Sequence, residues 1–327
     1  MVAPVITVVG SFAVGMTIRT SHMPHFGETL VGADFDMGPG GKGSNQAVAA
    51  ARLGAHAFFA GLIGADKLGE IATDLYAREG VDTTYLHKTT AMATGVGFII
   101  LNEQGENGII LDMAANKLVD PAFVDQVEEQ IRHSSVVMSV LELPVPAAAR
   151  AMELGRKHGV RTILNPAPAA PLDDAVLRCV DYLTPNETEL RILMGLSPAD
   201  SAPTHELAQR LRQRFGGTLI VTLGEKGSLV IDDGGQTHVP AAAVEAVDTT
   251  GAGDAFNAGL AVALAEGKPL LQAVQFASGC GALACTKLGV IPALATRDAA
   301  DAIYGQTFAE LIPNPCLMQA NQKAGNS

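Results

Sequence analysis

Basic side chains are scarce in this sequence, which has 22 lysines and arginines against 34 aspartates and glutamates and a formal net charge of −12. A surface of that sign repels phosphate backbones, so no nucleic-acid partner is expected. Cysteines are also few, and they form neither a Cys-x-x-Cys pair nor a zinc-ligand spacing. In a chain of this length we interpret them as reduced thiols of a cytoplasmic protein. They are Cys179, Cys280, Cys285 and Cys316.

Long uninterrupted apolar runs are missing as well. The longest are broken by Asn257, by Glu266 or by a glycine, so no membrane span is expected. A basic segment followed by an apolar stretch, which marks a secretory signal, is not found either, and we expect none. What the chain does have is 48% apolar residues over 327 positions, enough for one large domain with an ample core.

Apolar, β-branched runs alternate with amphipathic or alanine-rich segments along most of the chain. Because near-continuous apolar strands between helices are typical of a buried parallel sheet, this pattern predicts an α/β sandwich with a mostly parallel central sheet. The expected strands are Val5–Val9, His56–Leu62, Val136–Leu143, Val160–Leu164, Tyr182–Thr184 and Thr218–Thr222. The expected helices are Ser44–Leu53, Lys67–Glu79, Pro121–His133, Pro146–His158, His205–Phe215, Gly251–Ala265 and Leu270–Thr286.

Two stretches, residues 16–38 and 95–114, depart from that alternation. The first is polar and extended, and the second has two strand-like runs around a polar turn, the signature of a β-hairpin. We expect them to form a small second sheet that acts as a lid over a site. The main domain is expected to cover residues 1–306, and residues 307–327, which lose periodicity, are expected to be a loosely ordered tail.

The most informative segment is VDTTGAGDAFNAG, residues 247–259. Gly251, Ala252 and Gly253 carry no bulk and open an apolar helix, so free N–H groups and the positive end of the helix dipole can face an anion. Asp254 follows them, and a carboxylate is unexpected among groups arranged for an anion. A base that takes a proton from a hydroxyl beside a transferring phosphoryl group would explain it. The alternative is a tight turn followed by an acidic residue that favours the helix dipole.

A second glycine-rich segment, GPGGKGSNQAVAAARLGA, covers residues 38–55. Gly38, Gly40 and Gly43 match G-x-G-x-x-G, which raises a dinucleotide-binding alternative, but this segment does not follow the first core strand as that fingerprint requires. A second interpretation has Lys42 and Asn45 donate hydrogen bonds to a polyhydroxylated ligand. The remaining alternative is an exposed lysine in a glycine loop.

Three shorter signals lie near expected strand ends. In TPNETEL, Asn186 and Glu189 could hold Mg²⁺ through water, or form only a helix capping box. In TLGEKGSLV, residues 222–230, the turn could contact a nucleotide or be a plain hairpin. Glu142 comes at the end of the strand-like run VVMSVLEL, a position that faces the ligand crevice in open parallel sheets.

His22 and His25 are three residues apart, a spacing that raises the possibility of a metal site. Pro24 excludes a helix at this point, and the sequence indicates no third ligand. We therefore expect no metal site there.

Taken together, these motifs resemble the ribokinase family within the phosphofructokinase-B (pfkB) group of sugar kinases. The resemblance covers roughly residues 3–305 and includes GGKGSNQAVAAARLGA, LNPAPA, TPNETE, TLGEKG and DTTGAGDAFNAG, in that order. It implies a Rossmann-like αβα sandwich, a β-sheet lid that often forms a dimer clasp, and ATP as the phosphoryl donor. A cytoplasmic sugar kinase that forms a homodimer through the lid is thus expected.

The resemblance also implies roles for the residues that match its motifs. Asp254 would be the catalytic base, with an anion hole at Gly251, Ala252 and Gly253. The sugar would be held by Gly41, Lys42 and Asn45, with Glu142 nearby. ATP would contact Asn186, Thr222, Gly224, Gly227, Gly253 and Ser278. Glu189 belongs to the Mg²⁺ motif, and a monovalent cation such as K⁺ would lie at Asp248 and Thr250, with backbone groups near Ala284, Lys287 and Gly289.

One departure from the family concerns the acceptor. Ribokinases place Asn and Asp, which contact sugar hydroxyls, at the positions that Ala13 and Gly15 occupy in this sequence. Because such hydrogen bonds separate one polyol from another, D-ribose is a default acceptor. A deoxysugar, sugar acid, sugar alcohol or nucleoside is the alternative. A non-catalytic sugar or nucleotide sensor is a further alternative, which the retained Asp254 disfavours, and an NAD-dependent dehydrogenase is weakly supported.

Overall fold

The computed structural model describes residues 3–102 and 107–308. Its strands are β1 Val5–Val9, β2 Ala13–Arg19, β3 Ala33–Gly40, β4 His56–Gly64, β5 Asp82–Thr89, β6 Gly95–Leu101, β7 Asn107–Asp112, β8 Val136–Val140, β9 Arg161–Asn165, β10 Tyr182–Leu183, β11 Thr218–Thr222, β12 Ser228–Asp232 and β13 Gly235–Val239. Its helices are α1 Lys42–Arg52, α2 Lys67–Glu79, α3 Pro121–Asp125, α4 Glu128–Arg132, α5 Val145–His158, α6 Asp174–Leu177, α7 Glu187–Leu193, α8 Thr204–Arg214, α9 Ala252–Ala265, α10 Leu270–Ala284, α11 Val290–Ala293 and α12 Arg297–Phe308. Short 3₁₀ turns cover Ala114–Leu118 and Gly224–Lys226.

A nine-stranded sheet in the order β13-β12-β11-β10-β9-β8-β1-β4-β5 forms the centre of the molecule. The neighbouring strands from β11 to β5 in that order pair in parallel, whereas the β11–β12 and β12–β13 pairs are antiparallel. Alternate residues of β8 enter different cores, because Val136 and Met138 pack on one face and Val137 on the other. Both faces are therefore covered by helices, and the predicted mostly parallel α/β sandwich is confirmed.

A separate four-stranded sheet has the order β3-β2-β6-β7 and is called the small sheet below. Its central pair, β2 and β6, is parallel, while both outer pairs are antiparallel. The predicted second sheet is thus present, but it begins at Ala13 rather than residue 16. The polar turn expected within residues 95–114 falls at 103–106, outside the described residues.

Several sequence-based boundaries were wrong for identifiable reasons. Strands β5 and β13 were not expected, because they lie at the two edges of the large sheet and consist mostly of polar residues, many of them exposed. The helix expected over Pro121–His133 is divided into α3 and α4, since the Val127 N–H bonds to Val124 O, three residues back instead of four. The strand expected over Val136–Leu143 ends at Val140.

The C-terminal helix α12 continues to Phe308, whose side chain is completely buried. The main fold thus extends slightly past the boundary expected at residue 306, and residues 309–327, including Cys316, lie outside the described residues. Within the described ranges, we find no helix with the length and apolarity that crossing a bilayer requires.

Candidate active site

Polar side chains lie together at the carboxyl ends of the parallel strands, and three of them, Glu142, Asn186 and Thr222, were singled out in the sequence. Ser11 follows β1 and Glu142 follows β8, while Asn165 is the last residue of β9. Asn186 follows β10, and Thr222 is the last residue of β11. Open α/β sheets bind ligands at this edge, because the loops that leave the strands form a crevice there.

The glycine turn before α9 has a conformation that depends on its lack of side chains. Gly251 caps the helix with a φ of +82°, and a Cβ added to it would lie 2.4 Å from Val290 Cγ1. A Cβ on Gly253 would instead meet no heavy atom within 4 Å. Among the described residues the N–H groups of Gly253 and Asp254 find no hydrogen-bond acceptor. The start of this 14-residue helix therefore presents free donors and positive dipole charge to open space.

Asp254 lies in the first turn of α9 with 5% of its surface exposed. Asn45 Nδ2 donates to its Oδ2 at 2.8 Å, and Gln46 Nε2 donates to its Oδ1 at 3.2 Å. Burial raises the pKa of Asp254, and this effect exceeds the lowering by the charge of Lys42 and by the two amide donors. A buried carboxylate that is oriented through both oxygens can accept a proton from a neighbouring hydroxyl.

The donors to Asp254 are the fourth and fifth residues of α1, whose start is fixed by Gly41. Gly41 has a φ of +91°, and a Cβ there would lie 2.8 Å from Ala13 N. Gln46 Nε2 also donates to Asn165 Oδ1 at 3.2 Å, which ties the helix to the end of β9. The amide oxygens of Asn45 and Gln46 are buried, and the described residues give them no hydrogen-bond partner.

Lys42 and Glu142 are two further charged residues close to Asp254. Glu142 Oε2 accepts hydrogen bonds from Ser11 Oγ at 2.5 Å and from the Lys42 N–H at 2.7 Å. Burial raises the pKa of Glu142. Burial alone would lower the pKa of Lys42, but three carboxylates nearby raise it overall, so the ammonium group stays charged. Those carboxylates are Asp254, Glu142 and Glu189.

The residues expected to contact a nucleotide lie on neighbouring loops. Asn186 and Thr222 pair in a parallel bridge, so the two strand ends meet. A Cβ on Gly227 would lie 2.1 Å from Val239 O, which places this turn against the chain leading to Pro240. Ser278 Oγ, on α10, donates to Pro240 O at 3.5 Å and thus faces the same turn. Gly224 begins the 3₁₀ turn between β11 and β12.

Asn186 and Glu189 form the capping box that the sequence analysis weighed against a Mg²⁺ site. Asn186 Oδ1 accepts from the Glu189 N–H, and Glu189 Oε2 accepts from the Asn186 N–H, both at 2.8 Å. Burial raises the pKa of Glu189, although the Asn186 N–H and the charge of Lys42 oppose that effect. The second carboxylate oxygen is left over for other contacts, so the cap and a metal role are compatible.

A loop before α9 brings together residues of the expected monovalent-cation site. Asp248 Oδ1 accepts from the Thr250 N–H at 2.9 Å, and Oδ2 accepts from the Gly289 N–H at 3.1 Å. Burial would raise the pKa of Asp248, but the donors lower it overall, so the carboxylate is ionised at neutral pH. Ala284 ends α10 beside this loop, and Lys287 lies exposed in the following turn.

The G-x-G-x-x-G match has a packing role in the structure. Gly38 and Gly40 belong to β3 of the small sheet, so the segment does not follow a strand of the large sheet. A Cβ on Gly43 would lie 2.5 Å from Gly10 Cα, which means that this glycine lets α1 pack closely on the end of β1. These positions do not form the strand–turn–helix unit of a dinucleotide site.

Two further observations lie outside the sequence-based expectations. Ser11, Gln46 and Asn165 belong to the hydrogen-bonded network around Asp254 and Glu142, but we had singled out none of them; Gln46 follows Asn45 directly, which was the available signal. The expectation that His22 and His25 have no third ligand nearby was also wrong, because Glu28 adjoins both.

Comparison with known proteins is consistent with this geometry. The family model described as "pfkB family carbohydrate kinase" matches residues 4–297. A ribokinase from Haemophilus influenzae is 38% identical over 292 residues, covering 89% of this chain and 95% of that protein. A deoxyribokinase from Salmonella typhi is 39% identical over 253 residues, covering 77% of this chain and 82% of that protein.

Solved structures of similar fold include Arabidopsis thaliana ribokinase complexed with ribose and ATP. It superimposes with a TM-score of 0.86 at 30% identity and covers 92% of this chain and 99% of that one. A ribokinase from Thermotoga maritima has a TM-score of 0.83 at 31% identity, with the same coverage of 92% and 99%.

Proposed function

The chain belongs to the pfkB family of carbohydrate kinases, and from that premise we propose that it transfers the γ-phosphoryl group of ATP to a primary hydroxyl of a small sugar, with D-ribose as the default acceptor. The observation that carries this proposal is the position of Asp254. Its carboxylate is buried, oriented by Asn45 and Gln46, and adjacent to the free N–H groups at the start of α9. A base and an anion site thus lie side by side, as phosphoryl transfer to a hydroxyl requires.

In the proposed reaction Asp254 takes the proton of the acceptor hydroxyl. The hydroxyl oxygen forms a bond to the γ-phosphorus while the bond between that phosphorus and the β–γ bridging oxygen breaks, and ADP leaves. The turn at Gly251, Ala252 and Gly253 would hold the γ-phosphoryl group, with the free N–H groups of Gly253 and Asp254 donating to its oxygens as charge shifts onto ADP. The small sheet covers the site and excludes water that would otherwise hydrolyse ATP.

The sugar is proposed to bind between α1 and the end of β8. Lys42 keeps its charge beside the carboxylates, and Asn45 has a buried amide oxygen that can accept from a sugar hydroxyl. Gly41 would contact the sugar through its backbone, since its missing side chain lets it pack on residues 11–13. Glu142, held by Ser11, can accept a hydrogen bond from a further sugar hydroxyl. Ala13 is in register with Gly40 in the small sheet, so the departure from the ribokinase pattern falls next to this group.

The nucleotide is proposed to lie across the loops after β10 and β11. Asn186 and Thr222 would contact its phosphates, with Gly253 at the γ-phosphate and the turn from Gly224 to Gly227 beside the adenosine. Ser278 would lie near the adenine, since it faces the same turn through Pro240. The second carboxylate oxygen of Glu189 is suited to a hydrated Mg²⁺, which would neutralise phosphate charge when bound.

We also propose that a monovalent cation such as K⁺ binds at the loop before α9. An ionised carboxylate, Asp248, lies there among backbone groups, and oxygen donors of this kind match such an ion. Thr250 and the backbone near Ala284, Lys287 and Gly289 would complete the site. Asp248 also binds the Thr250 and Gly289 N–H groups, so the loop that leads into the glycine turn is held in place.

We expect the enzyme to discriminate only weakly between acceptors that differ by one hydroxyl group. We expect ADP release with both D-ribose and 2-deoxy-D-ribose, with kcat/KM values within about tenfold of each other, because the site has lost two side chains that would penalise a missing hydroxyl. A coupled assay of ADP release, run with Mg²⁺ and K⁺ over these sugars, a sugar acid, a sugar alcohol and a nucleoside, measures this directly.

The control for that assay is the double variant Ala13→Asn/Gly15→Asp, which restores the polar pair and should increase the preference for D-ribose. If the unmodified protein had a kcat/KM for D-ribose more than about 100-fold above that for 2-deoxy-D-ribose, the expected weak discrimination would be contradicted. ADP release only with a nucleoside would replace the small-sugar assignment while keeping the kinase reaction.

We propose in addition that the small sheet forms a homodimer contact. Its strands expose apolar side chains that a lone subunit would leave in water: Phe35, Met37, Phe98, Ile109, Ile110 and Leu111. Sedimentation is expected to give twice the chain mass of 33.8 kDa. Ile110→Asp should shift the protein to monomer, whereas Leu271→Asp, an exposed apolar position on α10, should not. A monomeric unmodified protein would refute the contact.

A further inference from the structure

The loop that joins β2 to β3 gathers three side chains with metal-binding chemistry. Candidate ligand atoms of His22, His25 and Glu28 all lie within 4.8 Å of one another, and all three residues are exposed. His22 Nε2 lies 3.1 Å from both carboxylate oxygens of Glu28. None of them takes part in the site at Asp254, so the kinase reaction does not explain the cluster.

Hydrogen bonds within the loop hold these donors in place. The Thr20 hydroxyl donates to His22 O at 2.7 Å. Two hydrogen bonds link His25 to Glu28: the His25 N–H donates to Glu28 Oε2, and the Glu28 N–H donates to His25 O, both at 2.9 Å. Ser21 Oγ lies 2.9 Å from His22 Nδ1, which leaves Nε2 directed at Glu28. A ligand to this loop would therefore meet groups that are already ordered.

The side chains also have suitable charge and availability. The set combines one carboxylate with two imidazoles, which are oxygen and nitrogen donors that a divalent transition-metal ion accepts. The ring of His25 forms no hydrogen bond with any described residue, and its only ring contact is with His22 at 6.0 Å between centroids. The His25 ring is thus available as a nitrogen donor beside His22 and Glu28.

We propose that His22, His25 and Glu28 bind a divalent transition-metal ion, with Zn²⁺ as the best match, in the loop between β2 and β3. Two imidazoles and one carboxylate, with water in the fourth position, form a known zinc donor set. Tetrahedral bonds of about 2.0–2.1 Å place donor atoms about 3.3 Å apart, so the side chains need to move by only about 1–2 Å. Mg²⁺ prefers oxygen ligands alone and is not expected at this site.

Binding at this position would restrain the small sheet. Met23 lies between the ligands in sequence and packs over Gly108 of β7, where an added Cβ would be only 2.0 Å from Met23 Cε. The Thr20 N–H bonds to Leu101 O at the end of β6. An ion that links His22 to Glu28 therefore fixes a loop attached to two strands of the small sheet, and with it the fully exposed ring of Phe26.

The test is a Zn²⁺ titration of tag-free protein, without nucleotide, in competition with a chromogenic chelator. We expect one site per chain that is lost, or weakened at least about tenfold, in His25→Ala and in Glu28→Gln. The matched control is His56→Ala, which removes an exposed histidine 3.7 Å from the carboxylate of Asp82 that belongs to no cluster of three ligand groups among the described residues. This variant should bind as the unmodified protein does.

A Co²⁺ titration adds a spectroscopic reading, since tetrahedral and octahedral Co²⁺ differ in visible absorption. The unmodified protein and His56→Ala should give the tetrahedral spectrum, and His25→Ala should not. The proposal is overturned if the unmodified protein binds no Zn²⁺, or if all the proteins bind it with equal affinity. Because the His25 ring is exposed and has no hydrogen bond to the described part of the chain, circular dichroism of His25→Ala should match that of the unmodified protein.

Discussion

Asp254→Asn is expected to lower kcat by about 10²- to 10⁴-fold, the contribution typical of a general base. Asparagine has nearly the same shape but cannot take the proton of the acceptor hydroxyl. KM should change much less, because the variant keeps the groups proposed to hold the sugar and the nucleotide. The measurement is coupled ADP release at saturating ATP and sugar.

The same substitution should leave the fold intact and not reduce its stability. Burial raises the folded-state pKa of Asp254, so its contribution to the free energy of unfolding is present at low pH and is lost as pH rises through that raised pKa. At pH 8 the ionised carboxylate is therefore a net cost, which Asn removes. The amides of Asn45 and Gln46 have unpartnered oxygens and can rotate to accept from the new NH₂ group.

These features separate a loss of chemistry from a loss of structure. Asp254→Asn should show a Tm at pH 8 equal to or above that of the unmodified protein, together with the large fall in kcat. The unmodified protein should also lose kcat/KM toward acid pH with an apparent pKa above the ordinary Asp value of about 3.9. Near-normal turnover by the variant would refute the role of Asp254 as base.

Gly253→Ala is expected to reduce kcat/KM by at least about 10²-fold without destabilising the protein. A methyl group at this position meets no protein atom within 4 Å, so it does not disturb the fold. Because the Cα–Cβ bond of a helical residue tilts toward the helix N-terminus, the methyl group would enter the space proposed for the γ-phosphoryl group. Kinetics together with thermal unfolding measure both expectations.

Gly251→Ala provides the contrasting control two residues earlier. A side chain at this position is strained by the φ of +82° and collides with Val290, so Tm should fall, by an amount corresponding to about 1–3 kcal/mol. If Gly253→Ala retained full activity, the phosphoryl group would not lie at the start of α9. If it destabilised the protein as strongly as Gly251→Ala, its effect on activity would not identify a binding site.

Much of the fold could be predicted from the sequence where the signal is local. Mostly buried strands such as β1 and β4 form nearly continuous apolar runs in the sequence, and α9 follows its glycine turn directly, so both kinds of element were found. Strands β5 and β13 were missed because edge strands keep polar, half-exposed residues that resemble a loop. Each of these two strands is recognisable only from its pairing in the sheet, β5 with β4 and β13 with β12.

The candidate site shows the same division between local and distant information. The motifs containing Lys42, Asn186 and Asp254 were visible as short sequence strings. The structure brings these three segments together, since the charges of Lys42 and Asp254 both act on Glu189 in the motif of Asn186. The hydrogen bond from Gln46 to Asp254, 208 positions apart, and the bond from Ser11 to Glu142, 131 apart, are created only by folding. The third group beside His22 and His25 was missed for a related reason, because Glu28 reaches them through a turn with no regular spacing.

Phosphorus NMR of the reaction products tests the central claim most directly. Protein incubated with ATP, Mg²⁺, K⁺ and D-ribose or 2-deoxy-D-ribose should produce ADP and an equal amount of a sugar phosphomonoester. Its resonance should be a triplet, since a phosphate on a primary hydroxyl couples to two methylene protons. Asp254→Asn should give at least about 100-fold less of it over the same time. ADP with inorganic phosphate alone, a doublet from a secondary hydroxyl, or equal product from Asp254→Asn would contradict the account.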